Sequence, residues 1–162
     1  LVELVDSWYR RGLTKRLGED PTLFLIPFKK GSANIPWYAV GREKEYVSLS
    51  EMDRTIFVIE RIISLYNKSL RSLTKKEQTQ ILFVRYEDIM LSPQSVLKRL
   101  GLFLGKKLRP EISKILRREH LPNPNYSGTR EAKLEAIGRL ASAKYLKRLK
   151  KLEALYQLSK RT

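Results

Sequence analysis

Cysteine is absent from the 162 residues. That excludes disulfides, thiolate metal sites and cysteine nucleophiles. Histidine occurs once, at His120, so a site built on paired histidines, the HExxH zinc arrangement included, is excluded too, and no metal site is expected. No apolar run approaches the roughly 18 residues that a membrane-spanning helix needs. A GxxxxGK[ST] loop is also missing, so a Walker loop cannot cradle phosphate within this sequence. Acidic side chains are scarce: 17 Asp and Glu stand against 33 Lys and Arg, a formal charge of +16. Neither internal repeats nor low-complexity segments occur. No leader peptide opens the sequence, and with cysteine absent as well the expectation is a cytoplasmic protein. The sequence starts at Leu1 rather than Met, and Leu1-Val2-Glu3-Leu4-Val5 reads as the middle of an element. A piece of a longer protein is therefore expected.

Apolar residues make up 42% of the chain and aromatics 9%, enough for a buried core in one domain or most of one. The charge is uneven. Residues 1–105 hold 17 basic and 12 acidic side chains, whereas residues 106–162 hold 16 and 5. Solvated helix faces would account for this, and so would a surface that attracts phosphates, nucleic acid or an acidic polymer.

Apolar spacing predicts a helix over 1–13, carrying Leu1, Leu4, Val5, Trp8 and Tyr9 and stopped by Gly12. Residues 14–47 read as a long loop punctuated by Gly18, Pro21, Gly31, Pro36 and Gly41. Leu23–Phe28 is a short strand or buried turn within it, and Ile35-Pro36-Trp37-Tyr38 an aromatic anchor. A helix is predicted over 48–73, capped by Ser48 with Glu51 or by Ser50 with Asp53. Its stripe is Met52, Ile56, Ile59, Ile63, Tyr66 and Leu70, widened by Val58 and Ile62. Residues 80–105 read as strand, turn and helix, half of a βαβ unit. Gln80–Arg85 is the strand, apolar without alternation and so buried on both faces. Ser92-Pro93 starts the helix and Gly105 ends it. Residues 106–162 form a basic helical tail. In it Pro110 starts one helix, 121–129 is a loop, and Ser142 caps the last helix.

Ligands of open α/β sheets bind beyond the carboxyl ends of strands, where Tyr86, Glu87 and Asp88 are expected. Tyr86 can flank a base and offer its hydroxyl; the two carboxylates can equally serve the turn backbone and nearby arginines. Adjacent on an extended segment, they would point to opposite sides, unlike a glycosidase pair. Ser7 reads by itself as an ordinary helix serine. Arg130 and Lys133, at a loop-to-helix start, suit either a phosphate site or a solvated basic face.

Together these segments resemble the sulfotransferase family. Ile81-Leu82-Phe83-Val84-Arg85-Tyr86-Glu87-Asp88-Ile89, then Ser92-Pro93, then Leu100-Gly101-Leu102-Phe103-Leu104-Gly105 are similar to its buried strand ending in Tyr-Glu-Asp and the following helix ending in Phe-Leu-Gly. Leu4-Val5-Asp6-Ser7-Trp8-Tyr9-Arg10-Arg11-Gly12 is similar to the tail of its 3′-phosphate motif, whose serine Ser7 matches. The arginine of that motif would fall one position before Leu1.

The resemblance implies an α/β fold, of which this chain is the helix-rich C-terminal portion of a P-loop-like three-layer architecture. It implies sulfuryl transfer from 3′-phosphoadenosine 5′-phosphosulfate to an acceptor hydroxyl or amine. Ser7 would contact the 3′-phosphate and Tyr86 the adenine region. Arg130 would join them on the 3′-phosphate, although the family's Arg-Lys-Gly is missing there. The phosphosulfate loop, its lysine and the general base would lie upstream of Leu1, so no catalytic residue is assigned and the isolated chain is expected to be inactive. The basic tail would attract an anionic saccharide acceptor. The alternative is a basic helical nucleic-acid-binding module using residues 106–162.

Overall fold

The computed structural model describes residues 1–14, 27–30, 33–125 and 130–158. It divides into two compact units, Leu1–Arg71 with Glu131–Thr162, and Ser72–Arg130.

The first unit opens with α1 (Val2–Arg10), which ends as expected in Gly12 at a φ of 63°. Of the expected loop over 14–47, the described residues from 27 onward hold more order than a loop. An antiparallel hairpin joins β1 (Pro27–Lys30) and β2 (Ala33–Pro36), with Pro27 opposite Pro36. A 3-10 turn over Trp37–Ala39 and α2 (Glu43–Ser48) follow. Leu23–Ile26, most of the expected strand or turn, lies outside the described residues.

The predicted long helix is α3 (Glu51–Ser72). Its first two turns are buried nearly all round, so Phe57 joins Met52, Ile56, Val58 and Ile59 of the expected stripe in the core. Val2 and Val5 of α1 belong to the same cluster, as do Ile137 of α8 (Arg130–Leu140) and Tyr145 and Leu149 of α9 (Ala143–Leu158). The C-terminal half of α3 is less covered, and Tyr66 is exposed. Tyr38, Tyr46 and Phe57 meet edge-on or tilted, with centroids 6.0 and 5.8 Å apart. That geometry suits ring quadrupoles.

Several buried polar groups in this unit are matched. The Arg54 guanidinium donates to the carbonyls of Thr14 at 2.7 Å and Leu49 at 2.8 Å. The Thr14 and Thr55 hydroxyls are 2.6 Å apart. Ser50 accepts the Asp53 N–H at 3.2 Å, as its cap position predicts. The Asp53 carboxylate itself accepts the N–H of Ser142 at 2.8 Å, at the start of α9. Ser142 in turn accepts from Tyr145 N–H at 3.5 Å, bearing out its reading as a cap.

The second unit holds α4 (Lys75–Gln78), α5 (Tyr86–Leu91), α6 (Pro93–Phe103) and α7 (Ile112–Arg118). α4 is fixed by a Thr74/Glu77 capping box. The strand expected over Gln80–Arg85 is not formed; Ile81–Arg85 has no regular structure. A strand needs a neighbour for its N–H and C=O groups. Among the described residues only β1 and β2 pair, antiparallel, and Phe83 and Val84 are exposed. The strand–turn–helix reading is therefore corrected to a helix–helix pair, α5 against α6. The helix-rich part of the expected architecture is present, and no parallel sheet occurs among the described residues. α6 has Pro93 at its first position and Leu104 as C-cap. Gly105 follows at a φ of 62°. Gly105 N–H donates to Leu102 O at 3.2 Å and Lys106 N–H to Gly101 O at 2.8 Å, the double closure of a Schellman motif. α7 starts at Ile112 rather than at Pro110, which lies in a turn. Among the described residues no helix is long and apolar enough to cross a membrane.

Candidate functional site

Tyr86 does not stand at a strand end but opens α5, with Arg85 as the extended N-cap residue. Tyr86 is 59% exposed and stands beside a helix N-terminus. Glu87 lies 3.8 Å from the half-buried Arg85 guanidinium, in keeping with a carboxylate that serves a nearby arginine. Because Glu87 and Asp88 occupy a helical turn, their side chains diverge by about 100° rather than alternating as on a strand. Asp88 also accepts Ser92 N–H through its carbonyl at 2.8 Å, closing α5.

Ser7 belongs to the first unit. It sits in the last half of α1 and is half-buried. Among the described residues its hydroxyl has no hydrogen-bond partner, while its carbonyl accepts Arg11 N–H at 3.1 Å. Asp6 beside it is taken by Arg10 at 2.9 Å. Among the described residues the Ser7 Oγ–H is therefore available as a donor.

Arg130 is the first residue of α8 and half-buried, and Lys133 one turn on is half-buried as well. The preceding residues 126–129, with Tyr126, lie outside the described residues.

A charged network escaped the sequence reading. Glu45 on α2 accepts the Tyr145 hydroxyl at 2.7 Å and Arg148 Nη1 at 3.3 Å, and it also pairs with Arg42. Arg148 pairs through its other terminal nitrogen with Glu60 of α3. Its guanidinium lies 4.6 Å from the centroid of the Tyr145 ring. Burial pushes the Glu45 carboxyl up, but the hydrogen bonds from Tyr145 and Arg42 and the Arg148 charge outweigh it and hold the group below the usual glutamate range. Burial first, and the bond to Glu45 second, push the Tyr145 phenol up to about 12. These charges are mutually satisfied, so the network holds α2, α3 and α9 in place rather than offering a reactive group. Its partners are 103 residues apart in sequence for Glu45 and Arg148, beyond the reach of local patterns. Among the described residues no three carboxylates or histidines gather as metal ligands would.

The sequence model described as the sulfotransferase domain matches residues 40–148, about two thirds of the chain. The matched stretch includes Tyr86, Arg130 and the Glu45 network, and it starts after Ser7. Neither a curated protein nor a solved structure matches the chain significantly.

Proposed function

The chain belongs to the sulfotransferase family, and from that we propose that it binds 3′-phosphoadenosine 5′-phosphosulfate and serves sulfuryl transfer to an acceptor hydroxyl or amine. A bound donor supplies the sulfuryl group: the acceptor oxygen or nitrogen gives up its proton to a general base and bonds to sulfur, the sulfur–oxygen bond to the 5′-phosphate breaks, and adenosine 3′,5′-bisphosphate leaves. In this reading the residues of the chain bind and orient. The exposed Tyr86 ring covers the adenine, the Ser7 hydroxyl donates to the 3′-phosphate, and Arg130 adds a cation there. Their chemistry fits the donor, since Ser7 has an uncommitted hydroxyl among the described residues and Tyr86 is an exposed aromatic residue.

The observation that carries this reading is the family match over residues 40–148, which includes the segment from Tyr86 to Gly105. The nucleic-acid-binding alternative rests on charge alone.

The test is equilibrium binding of adenosine 3′,5′-bisphosphate to wild type and Tyr86→Ala. Loss of a stacked or closely covering ring is expected to weaken binding by about 1–3 kcal/mol, with Tyr86→Phe weakened less. Unchanged affinity in a folded Tyr86→Ala protein would make the ring purely structural.

A further inference from the structure

In the second unit a groove of about 810 Å³ runs between α6 and α7, within the size range of small-ligand sites. Its floor is apolar, from Leu91, Pro93, Leu116, Leu121 and Pro122. Its polar lining consists of Ser92, Gln94, Ser95 and Lys98 from the α6 side and Ser113 and Arg117 from α7. None of these polar side chains is committed to a carboxylate among the described residues. Among the described residues the Arg117 side chain donates only through Nε, to the Ser113 carbonyl at 3.4 Å. The nearest acidic residue on α7's C-terminal side, Glu119, is taken by Arg118 at 3.0 Å. The whole unit is basic, with 12 Lys and Arg against 5 Asp and Glu.

We infer that this groove is a binding site for an acidic oligosaccharide. Two unneutralised cations suit carboxylate or sulfate groups. Three hydroxyls and one amide, each able to donate and accept, suit a ligand rich in hydroxyl groups. The leucine and proline floor suits the C–H faces of sugar rings. The choice of a hydroxyl-bearing ligand rests on the sulfuryl-transfer reading, which needs an acceptor; the groove and its charge do not.

Tetragalacturonate is titrated into the ¹⁵N-labelled 162-residue chain without nucleotide. Amide shifts are expected at Ser92–Lys98 and Ser113–Arg117. The fully methyl-esterified sugar, which keeps its ring hydroxyls and loses its charge, is expected to bind about tenfold or more weakly. The Lys98→Ala/Arg117→Ala double variant is expected to lose a similar factor for the acid form. Both side chains are exposed, so an unchanged circular dichroism spectrum is expected. Shifts elsewhere, equal affinity of the double variant, or no binding by folded wild type would overturn the site. Equal binding of tetraglutamate would overturn the saccharide assignment in favour of an acidic peptide. Since no nucleotide is present, failure here is distinct from failure of nucleotide binding, which is measured separately.

Discussion

Among single residues, Glu45 has the clearest consequence for stability. Its carboxyl is held below the usual range by Tyr145, Arg42 and Arg148 despite burial. A depressed folded value means that its contribution is complete above the ordinary glutamate value of about 4.3 and is lost as pH falls through the folded value. Glu45→Gln removes the charge and keeps the shape. Wild type is expected to exceed the variant by about 1–2 kcal/mol near neutral pH. The difference should shrink on acidification below about pH 4, read by urea unfolding across pH. A difference unchanged between pH 7 and pH 3 would mean that Glu45 carries no net charge interaction. Nothing in the sequence marked Glu45, because its value comes from side chains on α9 that only the fold delivers. Ser7 and Tyr86, by contrast, were singled out by short patterns. Tyr86 proved to be exposed, and it opens a helix rather than ending a strand.

Elements were legible where their signals are local. Gly12, Ser50, Gly105 and Ser142 act at the helix ends where their residue types place them, because caps and left-handed stops depend on a few neighbouring backbone groups. Thr74-Lys75-Lys76-Glu77 carries an equally local capping-box pattern, yet it reads as polar linker when only apolar periodicity is followed. The pairing of Pro27–Lys30 with Ala33–Pro36 was hidden because Gly31 and Pro36 read in the sequence as loop punctuation. The 81–85 segment has strand composition, but composition cannot supply the neighbour that makes a strand. α6 offers a sharp test at this scale. A Cβ added at Gly101 would meet the Lys106 carbonyl oxygen at 2.8 Å, where the chain folds back to close the Schellman motif. Gly101→Ala gains about 1 kcal/mol of helix propensity, but the backbone contact must shift. A net loss of about 1–2 kcal/mol is expected, with Leu102→Ala, whose side chain is 83% exposed, near neutral. Chemical denaturation of the three proteins decides it. A stabilised Gly101→Ala protein would show that the close approach is dispensable.

At the scale of the whole molecule, the charge of +16 attracts any polyanion, and this must be separated from site binding. Diffuse attraction to an oligonucleotide is expected to weaken steeply between 50 and 200 mM salt, by roughly 10³-fold if about six phosphates are neutralised. Preference for a nucleotide with a 3′-phosphate over one without it is expected to survive over the same range, because a hydrogen bond in a formed site is screened less. Fluorescence anisotropy in a salt series measures both. Oligonucleotide binding with this steep salt dependence, and no preference between the mononucleotides at any salt concentration, would favour the nucleic-acid reading.

The reading of the chain as a sulfotransferase that binds a 3′-phosphorylated donor is tested most directly through Ser7. Calorimetric titration compares wild type and Ser7→Ala with adenosine 3′,5′-bisphosphate and with adenosine 5′-phosphate. A hydrogen bond to a charged group contributes roughly 1.5–3 kcal/mol. Ser7→Ala is therefore expected to weaken the bisphosphate by about tenfold or more and to leave adenosine 5′-phosphate nearly unchanged. Helix α1 should tolerate the change, since alanine is the better helix former. Equal losses for both nucleotides, or no loss for either, would contradict the assignment of Ser7 to the 3′-phosphate and with it the proposed donor site.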